Sequence, residues 1–120
     1  MTTNPPEIRA QLAAYRRATA ELRQAQTAQA QARAHFDQTA DALQDARARA
    51  EAQTTGSREE RAALVRLTVT AQDAEHRTAR DLLREAETAL EHAKLIERTE
   101  REALITLRVM LPAHSGEHTK

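Results

Sequence analysis

Two long stretches of this chain, residues 7–53 and 58–111, contain neither proline nor glycine. Between them stands one short break, Thr54-Thr55-Gly56-Ser57. Proline removes a helical hydrogen bond and glycine costs backbone entropy, so helices exclude both from their interiors. Their confinement to the ends and to one central point predicts two very long helices joined by a tight turn. The expected fold is all-α: a long antiparallel helical hairpin, a coiled coil that dimerises into a four-helix bundle. Helix 1 is placed at 5–53, the turn at 54–57, helix 2 at 58–111 and a loose tail at 112–120, all within one domain.

Local end signals agree with this layout. Asn4 can accept a hydrogen bond at a helix N-cap, Pro5 and Pro6 fit a first turn, and Glu7 follows three residues on. Ser57-Arg58-Glu59-Glu60 matches the Ser-x-x-Glu capping box. Gly56 can adopt the positive φ that ends a helix. Pro112 stops helix 2. Inside helix 2, the β-branched stretch Leu67-Thr68-Val69-Thr70 is the expected weak point.

The apolar pattern repeats every seven residues. In helix 1 one column runs Ile8, Tyr15, Leu22, Gln29, Phe36, Leu43 and Ala50, and beside it runs Gln11, Ala18, Ala25, Ala32, Thr39 and Ala46. Such adjacent columns form one seam of a coiled coil. Helix 2 has a column Val65, Gln72, Ala79, Ala86, Ala93, Glu100 and Leu107. Leu82, Ala89, Ile96, Ala103 and Met110 flank it on one side, and Leu83, Leu90, Leu104 and Leu111 on the other. The expected seam comprises Tyr15, Ala18, Leu22, Ala25, Ala32, Phe36 and Leu43 of helix 1. Its helix 2 members are Ala79, Leu82, Ala86, Ala93 and Ile96. Folding about the Thr55–Gly56 bond makes opposing residue numbers total 111. Ala18 then faces Ala93, Ala25 faces Ala86, Ala32 faces Ala79, Gln11 faces Glu100, and Thr39 faces Gln72. Facing alanines allow axes at the close end of the usual ~8–10 Å spacing.

Large apolar residues are few and unevenly divided. Alanine supplies 26 of the 120 residues, and aromatics only 2%. Helix 1 holds six residues among Ile, Leu, Val, Met, Phe and Tyr; helix 2 holds fifteen. The segment Leu104-Ile105-Thr106-Leu107-Arg108-Val109-Met110-Leu111 is apolar nearly all the way round, which demands burial on several sides. In the register above residue 106 lies opposite Pro5, so the last turn overhangs the start of helix 1 and leaves Leu107, Met110 and Leu111 without an intramolecular partner. Leu104, Ile105, Leu107, Val109, Met110 and Leu111 are therefore the expected interaction surface. The expected partners are a second copy of the chain, as a homodimer, and another helical protein.

Charge narrows the function classes. Lys plus Arg equals Asp plus Glu at 18 each, and neither half is polarised. A nucleic-acid binder shows a net basic face. Arg16, Arg17, Arg23, Arg47, Arg49, Arg58 and Arg61 could touch phosphates, but acids are interspersed and stacking aromatics are scarce. Nucleic acid is disfavoured as a partner, and a DNA-associated architectural role stays as a second alternative. Arginine and alanine both have GC-rich codons, so their abundance points to a GC-rich bacterial genome. There is no cysteine, no apolar signal-peptide core at the N-terminus and no apolar run of about 18–20 residues. No membrane contact is expected. A cytoplasmic location follows, with export that needs no cleaved signal left open.

Catalytic chemistry finds little footing. His114-Ser115-Gly116-Glu117-His118 has the His-x-x-Glu-His order of one zinc-peptidase class. That motif needs a helix to bring both imidazoles to one face, and here it contains a glycine and follows Pro112. His35, His76 and His92 are isolated in sequence, although the register puts His35 opposite His76. The carboxylates lack the Glu-x-x-His spacing of di-iron bundles. There is no Gly-rich phosphate loop and no nucleophile elbow. No enzyme, cofactor, metal or catalytic residue is expected.

The size and hairpin form resemble small helical secreted proteins of the Trp-x-Gly type. Their turn carries a tryptophan where this chain has Thr54-Thr55-Gly56-Ser57. The form also resembles the hairpin adaptors of flagellar and type III export machines, through helix length and composition. Those resemblances imply an accessory role in a bacterial secretion system or phage, the alternative to a scaffold or adaptor that self-associates.

Overall fold

The computed structural model describes residues 5–110, with the side chain of Met110 excepted. Asn4, Leu111, Pro112 and the segment His114–His118 lie outside the described residues. So does the expected tail.

Among the described residues the chain is all-helical. Helix α1 spans Pro5–Gln53, α2 spans Arg58–Thr68 and α3 spans Thr70–Met110. Alanine, glutamine, arginine and glutamate dominate α1, all residues that lose little entropy in a helix. At its end the Thr54 N–H still bonds to the Ala50 carbonyl at 3.0 Å. Gly56 then takes φ 118°, and Ser57, extended at φ −67° and ψ 163°, caps α2 by accepting the Glu60 N–H. The chain thereby turns back on itself within four residues.

The expected single helix over 58–111 is interrupted at Val69, inside the β-branched stretch. Val69 has φ −99° and ψ 13°, outside the helical well. Its own hydrogen bonds persist, from its N–H to the Val65 carbonyl at 3.1 Å and from the Asp73 N–H to its carbonyl at 2.9 Å. Flanking threonines compete for backbone acceptors. Thr68 Oγ1 donates to the Leu64 carbonyl at 2.7 Å, and Thr70 Oγ1 lies 3.0 Å from the carbonyls of both Arg66 and Leu67. Such back-bonding distorts helices.

The chain divides into two compact units. One combines residues up to Thr27 with those from Thr88 onward, and the other is Ala28–Glu87. Helices α1 and α3 contribute to both.

The unit Ala28–Glu87 has the larger apolar core. Leu43, Ala50, Val65 and Val69 form a buried cluster, with Ala46 packed against it. These residues come from the last turns of α1, from α2 and from the interruption, so the turn closes directly over its own core. Ala79 and Leu83 are also buried. In the other unit the buried residues are Ala18 and Ala93, while Ile8, Leu12, Tyr15, Leu22, Leu90 and Ile96 are half-buried. No large described side chain falls below 2% exposure. The seam is therefore thin, as its many small alanine side chains require.

Candidate interaction surfaces

Every member of the two α1 columns from Ile8 to Ala50 is buried or half-buried. On the facing side Val65, Gln72, Ala79, Ala86, Ala93, Glu100 and Leu107 are likewise buried or half-buried. Their companions are Val69, His76, Leu83, Leu90, Glu97 and Leu104. Leu82, expected in the seam, is instead 48% exposed, and Leu83 is buried at 6%. Alternating steps of four and three residues (65, 69, 72, 76, 79, 83) trace this face, which is the coiled-coil spacing. That alternation was present in the sequence and places Val69, His76 and Glu97 inward.

Polar groups in the seam find specific partners. Gln11 Nε2 donates to the Glu100 carbonyl at 3.0 Å. Thr39 takes its hydrogen-bond partners elsewhere than at Gln72. Its buried hydroxyl donates to the Phe36 carbonyl at 2.9 Å and lies 3.0 Å from His76 Nδ1. A hydroxyl carries one proton. With that proton on the Phe36 carbonyl, the Thr39 oxygen is left to accept from His76 Nδ1–H. The His76 ring also stacks on Phe36, with centroids 4.7 Å apart and planes at 30°. His35, placed opposite His76 by the turn position, is exposed. Helical side chains lean toward their own N-terminus, so in antiparallel helices the tips meet partners beyond the backbone register. Gln72 is left with its Oε1 buried and unpartnered.

Ion pairs are peripheral. Arg33 and Glu87 approach at 3.8 Å with both side chains about half exposed, a geometry worth well under ~1 kcal/mol. Asp73–Arg77, Glu91–Lys94 and Glu97–Arg101 are single-helix pairs. Of the histidines, His92 is exposed and His76 is committed to Thr39 and Phe36. Among the described residues no group of three or more metal-ligating side chains converges.

Comparison with family models, curated proteins and solved structures gives no match to this chain.

The expected interaction segment divides into two faces. Leu104 and Leu107 are half-buried and continue the inward columns. Ile105 is 50% exposed and Val109 70%. The side chain of Met110 and all of Leu111 lie outside the described residues. Leu95, 57% exposed, was not among the expected surface residues. At 100° per residue, Leu95, Ile105 and Val109 fall within an arc of about 80° on α3. In the unit Ala28–Glu87 the exposed large apolar residues are Leu64, Leu67 and Leu82. Among the described residues no helix is long and apolar enough to cross a membrane.

Proposed function

We propose that this chain is a non-enzymatic, self-associating helical scaffold or adaptor. Its hairpin would pair with a second copy to form a four-helix bundle. The observation that carries this reading is the outward stripe of Leu95, Ile105 and Val109, three large apolar side chains each at least half exposed on one face of α3. Leaving them in water forfeits about 1.5–3 kcal/mol per side chain at full burial. A second apolar helix face recovers that energy, and a symmetric dimer applies the gain twice. The inward columns are already occupied by the hairpin's own seam, so the outer stripe is the surface available for assembly.

Size-exclusion chromatography with light scattering tests this on the wild type and on Leu95→Ser/Ile105→Ser/Val109→Ser. The reading expects a dimer mass for the wild type and a monomer mass for the variant. A monomeric wild type at tens of micromolar, or a variant of unchanged mass, overturns it.

A further inference from the structure

A group of arginines stands without partners around the closed end of the hairpin. Arg47, Arg58, Arg61 and Arg66 line an open groove of about 450 Å³ together with Glu51 and Val65. An adjoining groove of about 450 Å³ shares Arg47, Val65 and Arg66 and adds Leu67, Val69 and Arg77. Both lie wholly within the unit Ala28–Glu87. Arg77 is held by Asp73 at 2.6 Å. The ion pairs among the described residues otherwise engage Arg33, Arg80, Lys94 and Arg101. Among the described residues, Arg47, Arg58, Arg61 and Arg66 form no ion pair with a carboxylate. Four guanidinium groups thus line one open space that holds a single carboxylate, Glu51, in a chain whose formal net charge is zero.

The apolar part of the surface decides what would bind there. Leu67 is 73% exposed beside these cations, and Val65 forms part of the floor at 8% exposure. Arg58, Arg61 and Val65 share one face of α2 through spacings of three and four residues. Guanidinium groups match carboxylates through paired, planar hydrogen bonds. A nucleic-acid backbone would use the charge but not Leu67. A helix with leucines on one face and carboxylates along its edges uses both.

We propose that these two adjoining grooves together capture an acidic amphipathic segment of a partner protein. Apolar residues of the segment pack on Leu67 and Val65, and its carboxylates pair with Arg47, Arg58, Arg61 and Arg66.

The test is fluorescence anisotropy on the full chain at near-physiological salt. The probe is a fluorescein-labelled Leu/Glu peptide of about 18 residues, five helical turns, patterned to place leucine on one face. The comparison ligands are a scrambled peptide of the same composition and a thymidine oligonucleotide of similar charge. The proposal expects saturable binding of the patterned peptide, weakened about tenfold or more by Arg47→Gln/Arg61→Gln/Arg66→Gln. It also expects several-fold weakening by Leu67→Ser and by scrambling. Circular dichroism checks that the variants stay helical. No saturable binding, equal binding of the scrambled peptide, tighter binding of the oligonucleotide, or indifference to either variant overturns the proposal. Repeating the titration with the Leu95, Ile105 and Val109 serine variant separates these grooves from self-association.

Discussion

The Thr39–His76 contact yields a prediction in which a second mutation repairs the first. Thr39 is 7% exposed, and its hydroxyl both donates to the Phe36 carbonyl and accepts from His76 Nδ1–H. Replacing Thr39 with valine keeps shape and helix propensity nearly constant. It removes both hydrogen bonds of the hydroxyl, of which the one to His76 is worth ~1 kcal/mol net, and strands the Nδ1–H in the seam at a penalty of ~1–3 kcal/mol. His76 is only half-buried, so the low end of that penalty applies. Thr39→Val should therefore cost about 1–2 kcal/mol. His76→Phe alone retains the ring stack on Phe36 and leaves the Thr39 hydroxyl bonded to the Phe36 carbonyl. It should cost under ~0.5 kcal/mol. The double variant replaces both polar partners with apolar groups of similar shape, which is nearly neutral. It should be more stable than Thr39→Val by about 1 kcal/mol, roughly 4 °C in Tm. Urea unfolding of all four proteins, followed by circular dichroism at one shared concentration, closes the cycle. A double variant no more stable than Thr39→Val would refute the hydrogen bond between Thr39 and His76.

Three further outcomes follow from individual residues. Gln72→Leu should raise stability by about 1–2 kcal/mol, because it removes a buried acceptor that has no partner; an unchanged urea midpoint would show that this oxygen is satisfied in solution. Gly56→Ala should cost about 1–2 kcal/mol through its φ of 118°. The new Cβ would lie 2.6 Å from Glu60 Oε2, but that carboxylate can swing aside, so Gly56→Ala/Glu60→Ala should show no rescue. Thr70→Ala removes the hydroxyl shared between the Arg66 and Leu67 carbonyls. It should stabilise the helix by about 0.5 kcal/mol and slow amide exchange around Val69, readable by mass spectrometry.

Much of the architecture was legible in the residues that begin and end helices. Pro5, Gly56 and Ser57 act through local backbone geometry, which needs no tertiary information. The α1 columns were equally legible, because Tyr15, Leu22, Phe36 and Leu43 have no competing apolar neighbour on an adjacent face. The second helix offered two rotations about its axis, one burying Leu82 and Ile96 and the other Leu83 and Leu90. These differ by about 100° and carry similar apolar content. In the unit Ala28–Glu87 the structure buries Leu83 and exposes Leu82, on the face that continues Val65 and Val69 beneath the turn. The same geometry explains the missed histidine. His76 reads as an isolated polar residue until α3 is rotated to bring it onto Phe36. The arginines at positions 47, 58, 61 and 66 were visible as charges, but their convergence on one groove depends on how the turn brings α2 onto the end of α1.

The alanine ladders have a consequence for alignment. Ala18, Ala25 and Ala32 repeat every seven residues, and so do Ala79, Ala86 and Ala93. For the alanines alone, a shift by one heptad would therefore restore the same pattern. What distinguishes the native alignment is the short turn with Leu43, Ala50, Val65 and Val69 buried beneath it, together with contacts that do not repeat: Gln11 on the Glu100 carbonyl, and Thr39 and Phe36 on His76. A polar group that finds its partner in a single alignment penalises every other one. These side chains act as pins that carry the alignment away from the turn. Substituting them with apolar residues would keep the helices and most of the stability while leaving the alignment to the turn and the core beneath it.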